Sequence, residues 1–179
     1  MSNNQVAQVQ YIVPKDDTNI SGLEDEQLKG YLNHRTLERN PESFKLILEE
    51  IRDRDLPVAD IINNTSIYEI WFSTLMHCVV FLTGSLIKNN TLSDTEYDFY
   101  GAQHSIPDSL GVEILDLLVE LGGNLNIQNY YYETAFDFYN YDEFKETLTA
   151  REDNDMLINR ITWLYHNHNP DDHDFVEFI

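Results

Sequence analysis

The stretch Ile114-Leu115-Asp116-Leu117-Leu118-Val119-Glu120-Leu121-Gly122-Gly123-Asn124-Leu125-Asn126-Ile127-Gln128-Asn129 decides the fold. It is followed, after Tyr130-Tyr131-Tyr132-Glu133, by Thr134-Ala135-Phe136. Residues Ser109 to Leu121 predict an amphipathic helix whose apolar face is Val112, Leu115, Leu118, Val119 and Leu121. Gly122 and Gly123 end it, because a left-handed residue after a helix costs glycine nothing.

The stretch has an echo. At a constant offset of 39 residues, Val80, Leu82, Gly84, Leu86, Asn90, Thr95, Asp98, Phe99 and Tyr100 match Val119, Leu121, Gly123, Leu125, Asn129, Thr134, Asp137, Phe138 and Tyr139. Nine identities in the 21 positions from 80 to 100 exceed chance. Such self-similarity predicts stacked helix–loop–helix units, none of which buries its apolar face alone.

Outward from this repeat the chain stays helical. Leu28, Tyr31 and Leu32 form one apolar face after Leu23. Asn40-Pro41-Glu42 predicts a helix start with proline in the first turn, and Phe44, Ile47, Leu48 and Ile51 share a face within Ser43 to Arg52. Asp53 to Pro57 is a break. A helix is predicted near Ile67 to Leu82, through Trp71, Phe72, Leu75, Met76 and Val79, stopped by Thr83-Gly84-Ser85. A last one covers Asp155 to His166, through Leu157, Ile158, Ile161, Trp163, Leu164 and Tyr165. No alternating strand pattern of useful length occurs. The expected fold class is all-α, a stack of helix–loop–helix repeats with a degenerate N-terminal unit. The expected organisation is a polar leader over 1–22, a repeat domain over 23–167 and an acidic, histidine-bearing tail over 168–179.

Composition narrows the function. The chain has 179 residues, 32 acidic and 11 basic, for a formal charge of −21. Apolar residues reach 42 %, enough to build a core despite that charge. The acidity excludes direct nucleic-acid binding and docking on anionic lipid, both of which need basic surface. The apolar run Leu75 to Leu82 is too short to span a bilayer, and Met1 to Gln10 lacks the blocks of a signal peptide. The single Cys78 forms no internal disulfide, which fits a reducing, cytoplasmic setting.

Residues 110–139 carry a resemblance to the ankyrin repeat, with weaker similarity over about 41–166. Gly122, Leu125, Asn126 and Thr134-Ala135 fall where that pattern places a helix-ending glycine, an interlayer plug, a finger-bonding asparagine and a helix cap. The chain departs from the pattern at Tyr132 for the finger glycine, Phe136 for leucine and Asp137 for histidine. Residues Phe44 to Asn63 read as an earlier degenerate unit, interrupted by Arg54 to Pro57. Another α-helical stack or bundle is the alternative architecture.

No nucleophile motif or phosphate loop is present, and Cys78 beside His77 points about 100° away from it on a helix, so no catalytic residue is expected. The tail histidines His166, His168 and His173 with Asp171, Asp172 and Asp174 suggest divalent-metal chemistry only as an alternative; no metal or cofactor is expected. Tyr130, Tyr131 and Tyr132 occupy the finger tip that the resemblance implies, and tyrosine on a protruding loop is a binding anchor. Asp94, Glu96, Asp98, Glu133 and Asp137 accompany them. The expected role is a non-catalytic interaction module, docking through concave face and fingers. It would neutralise a basic protein such as a toxin, a nuclease or another nucleic-acid-handling enzyme. Immunity protein, antitoxin or phage-type inhibitor imitating nucleic-acid phosphate all fit. An adaptor or chaperone shielding a basic client is the other alternative.

Overall fold

Short polar side chains decide where the helices begin. Asn33 Oδ1 accepts from the Thr36 N–H at 3.0 Å and Asn40 Oδ1 from the Ser43 N–H at 2.9 Å, each capping the helix that follows. The backbone N–H of Glu24 donates to the Gln27 side chain at 3.0 Å, half of a capping box. The computed structural model describes residues 12–65, 73–83, 106–130, 132–140 and 155–167. Its elements are a 3-10 turn at Ile20–Gly22, then α1 (Asp25–Tyr31), α2 (His34–Arg39), α3 (Pro41–Asp53), α4 (Ala59–Ile62), α5 (Leu75–Leu82), α6 (Asp108–Glu120), α7 (Ala135–Asn140) and α8 (Asp155–Asn167). The described residues contain no strand, only an isolated bridge between Thr83 and Ile106. The fold is all-α.

The helices touch in two rows. α5 packs between α2 and α7; α6 packs between α3 and α8; rungs α2–α3, α5–α6 and α7–α8 join the rows. The core runs along the seam. In α3 the whole expected face, Phe44, Ile47, Leu48 and Ile51, is buried. In α6 the buried set is Ile114, Leu115, Leu117 and Leu118 with Gly111, while Val112, Val119 and Leu121 are half-buried. The apolar face expected from sequence is therefore rotated, because α6 has neighbours on three sides. α3 and α6 are both 13 residues long and lie 67 apart. Positions 44/111, 47/114, 48/115 and 51/118 are buried in both helices, whereas Leu117 of α6 falls opposite the half-buried Glu50.

That 67-residue register differs from the 39-residue echo. The echo pairs Thr83 with Gly122, yet Thr83 is extended (φ −75°, ψ 122°) and Gly122 is left-handed (φ +91°). It aligns the end of a helix in one row with the end of a helix in the other; residues 84–100 of the first copy lie outside the described residues. The helix expected over 67–82 starts only at Leu75, since Thr74 is extended and caps it, and Trp71 and Phe72 lie outside the described residues. Within the expected leader, residues 12–22 are tied to the helical body. Asn33 Nδ2 donates to the Ile12 carbonyl at 2.9 Å, and Arg54 donates to the Ser21 and Leu23 carbonyls at 2.9 and 2.7 Å.

His34, on the first turn of α2, is buried. Burial, aided by Arg35 next door, pushes its imidazole down to about 4. The unfolded chain takes up that proton near pH 6.5, so the stability His34 contributes is intact above 6.5 and drains as pH falls toward 4, at about 1.4 kcal/mol per pH unit. Urea melts should show the native chain losing about 2 kcal/mol more than His34→Gln between pH 7 and pH 5. Equal losses would locate the acid sensitivity elsewhere.

Candidate protein-binding site

The site is a loop that the fold holds rigidly. It starts where α6 ends. Gly122 takes its positive φ there, its N–H reaches the Val119 carbonyl at 3.0 Å, and the Gly123 N–H reaches Leu118 at 2.8 Å. α3 closes in the same way with Asp55 in the left-handed position (φ 53°), through Leu56 N–H to Ile51 and Asp55 N–H to Arg52, both 3.0 Å. Asn63, just past α4, then clamps the later loop. Its Nδ2 donates to the Gly122 carbonyl at 2.9 Å and its Oδ1 accepts from the Asn124 N–H at 2.8 Å. Leu125 is buried beneath.

Asn129 makes the turn. Its N–H donates to the Glu133 carbonyl (2.8 Å) and its own carbonyl accepts from Tyr132 N–H (3.1 Å). Its side chain accepts from Glu133 N–H at 3.1 Å and donates to Glu133 Oε2 at 3.2 Å. Tyr132 sits at φ +64°, a backbone region that a β-carbon makes costly. Tyr130 and Tyr132 are 67 % and 81 % exposed. The fold thus accepts strain at a site where glycine would have none, and turns large aromatic side chains to solvent.

Two side-chain devices anchor this turn to the helices. The Thr74 N–H and hydroxyl lie 3.2 and 2.8 Å from His77 Nδ1, and His77 Nε2 lies 2.9 Å from the Glu133 carbonyl. A carbonyl only accepts, so Nε2 carries the proton and Nδ1 is the acceptor at the start of α5. Burial lowers the His77 pKa, against weaker upward pulls from the Glu133 carbonyl and Asp137, which keeps the ring in this neutral form. Sixty residues on, Thr134 N–H and hydroxyl donate to Asp137 Oδ2 at 2.9 and 2.7 Å, and Asp137 N–H returns to Thr134 Oγ1 at 3.2 Å. A Thr-x-x-acceptor box therefore opens both α5 and α7.

Of the expected binding residues, Tyr130 and Tyr132 are on the exposed tip. Glu133 and Asp137 belong to the framework, one closing the turn and the other capping α7, though their charges stay beside the tip. Tyr131, Asp94, Glu96 and Asp98 lie outside the described residues. All eight residues of α5 are buried. Cys78 is buried and its thiol is pushed up to about 12, mainly by desolvation, so it carries no thiolate at neutral pH. No group of metal-ligating side chains occurs among the described residues, and His168 to Asp174 lie outside them.

Sequence reasoning missed Asn63 and the Thr74–His77 pair. The recurring spacing Thr74-x-x-His77 and Thr134-x-x-Asp137 was the available signal.

Replacing His77 with alanine should lower the unfolding free energy by roughly 2 kcal/mol or more, because it leaves the Thr74 N–H and Glu133 carbonyl without this partner. Tyr132→Gly should raise it by about 1 kcal/mol by removing the left-handed penalty; a loss on urea unfolding would contradict the strain. No family model, curated protein or solved structure matches the chain.

Proposed function

We propose that this chain is a non-catalytic binding protein that docks a basic protein through the Tyr130–Tyr132 turn, on an ankyrin-like stack of helix pairs. The two rows of helices, the matched cores and caps of α3 and α6, the paired Thr-x-x-acceptor boxes and the Asn63 clamp between successive loops all support the stack. In this reading α3, α6 and α8 are the outer helices of successive units, and α2, α5 and α7 the inner ones.

The observation that carries the function is the exposed, left-handed Tyr132 on a turn fixed at its base. A rigid aromatic tip loses little entropy on binding and buries a large area. The surrounding sequence names the partner's charge. Between Lys88 and Lys145 there is no lysine or arginine, against eleven acidic residues. Such a field speeds encounter with a cationic patch and disfavours acidic partners. Occluding the basic cleft of a nucleic-acid-handling enzyme is the role this chemistry fits best, as an immunity protein, antitoxin or inhibitor would.

The test is capture from the native host by the tagged chain, followed by binding kinetics with the captured protein. The partner should be basic. Association should slow roughly tenfold or more from 0.05 to 0.5 M salt. Tyr132→Gly should weaken binding by about tenfold or more while leaving the fold at least as stable. A neutral or acidic partner bound indifferently to salt would overturn the proposal.

A further inference from the structure

His77 is buried and holds two parts of the molecule at once. Its Nδ1 accepts from the N–H and the hydroxyl of Thr74, itself fully buried at the start of α5. Its Nε2–H donates to the Glu133 carbonyl at 2.9 Å. The same carbonyl closes the tyrosine turn, since the Asn129 N–H reaches it at 2.8 Å. That turn keeps Tyr132 at φ +64°. A strained residue persists only where its surroundings over-determine it, so the turn relaxes when a bond at its base is lost.

A proton on the ring undoes the arrangement. It goes to Nδ1. The Thr74 hydroxyl can rotate to accept it, but the Thr74 N–H, 3.2 Å away, cannot turn round and faces a second donor. The ring is then a cation out of reach of water. It is relieved by leaving its seat, and Nε2 leaves Glu133 with it. The surrounding charges do little to hold it. Among the described residues the charge that acts on the ring is that of Asp137 on α7, whose Oδ2 already accepts from Thr134. In the turn, the Glu133 carboxylate takes the Asn129 amide. On α2, Glu38 pairs with Arg35, Arg39 is exposed and His34 is buried. On α6, Glu113, Asp116 and Glu120 pair with Lys45, Arg160 and Arg52, and Asp108 caps α8. The neighbouring Cys78 thiol is uncharged at neutral pH. Burial outweighs the pull of Asp137, so the ring charges only below its ordinary value of 6.5.

We propose that His77 is an acid-operated latch on the tyrosine turn: neutral, it fixes the turn; protonated, it frees the turn while the two rows of helices stay folded. The sign follows from the lowered ionisation. The latch is fully closed above pH 6.5 and opens as the pH falls below it. The helices outlast it because the seam through Ile47, Leu48, Ile114 and Leu118 is buried and apolar. As a motion of the free chain the latch stands alone; as a control on docking it rests on the reading of the turn as the binding site.

The test is amide hydrogen exchange of the full chain without partner, with ionisation of the His77 ring followed by NMR in the same samples, from about pH 7.5 to about pH 4.5. The Asn129 and Tyr132 amides are read against those of Leu48 and Leu118, so that the common pH dependence of exchange cancels. Relative protection of the turn should fall about tenfold per pH unit once the ring ionises. The step should persist in His34→Gln, which removes the other buried histidine of α2, and vanish in His77→Gln, whose amide still donates but does not titrate. The latch is overturned if the turn stays protected while the ring ionises, or if turn and seam lose protection together. A ring that stays neutral until the whole chain unfolds, or a step that survives His77→Gln, also overturns it. Salt-dependent docking by a turn indifferent to pH sinks the latch alone. A turn that opens in acid, on a chain that captures no basic protein, sinks the docking reading alone.

Discussion

A single neutral imidazole couples the helices to the loop that carries the site. His77 accepts at Nδ1 from the cap of α5 and donates from Nε2 to the Glu133 carbonyl, 56 residues away in sequence. Both roles require the tautomer with its proton on Nε2. Protonating Nδ1 removes the acceptor at the start of α5, and removing Nε2–H strands a loop carbonyl. The geometry of the tyrosine turn is therefore tied to α5. The buried surroundings of His77 hold its protonation state and so the geometry of the turn. Surface ion pairs such as Lys45 with Glu113 and Arg52 with Glu120 join the outer helices, but exposed pairs contribute little beside the buried Ile47, Leu48, Ile114 and Leu118.

Much of the local structure was legible. Asn40-Pro41 announces α3, the four-residue apolar face of that helix is buried as expected, and Gly122 ends α6 in the left-handed conformation. These features depend on neighbours within one or two turns, which a sequence displays. What failed depends on contacts across the fold, or on a local cap hidden in an apolar run. The apolar face of α6 rotates because three elements press on it. The start of α5 moves to Leu75 because Thr74 finds an acceptor in His77, which otherwise reads as an interruption in an apolar run.

The candidate site divides along the same line. Three consecutive tyrosines in a turn cannot all face a core, and Tyr130 and Tyr132 are exposed. Glu133 and Asp137 read as binding charges, yet both have internal hydrogen-bond duties that only the folded turn reveals. The 39-residue echo follows likeness of sequence rather than place in the fold, for a related reason. The ends of α5 and α6 look alike in sequence, Val-x-Leu followed by small residues, although they lie in different rows. The 67-residue correspondence of α3 and α6 rests on four buried positions, of which Ile47/Ile114 and Leu48/Leu115 are identical while Phe44 stands opposite Gly111.

Gly111 has a consequence for how this chain can change. It lets α6 approach α5 so closely that a β-carbon there would lie 2.2 Å from Thr83 Oγ1. Thr83 in turn bridges Ile106, whose N–H reaches the Leu82 carbonyl at 3.0 Å. The chain thus leaves α5 and re-enters before α6 through one narrow neck. A side chain at position 111 would push Thr83, and with it the pairing to Ile106, out of place, so no residue larger than glycine fits there while this neck stands.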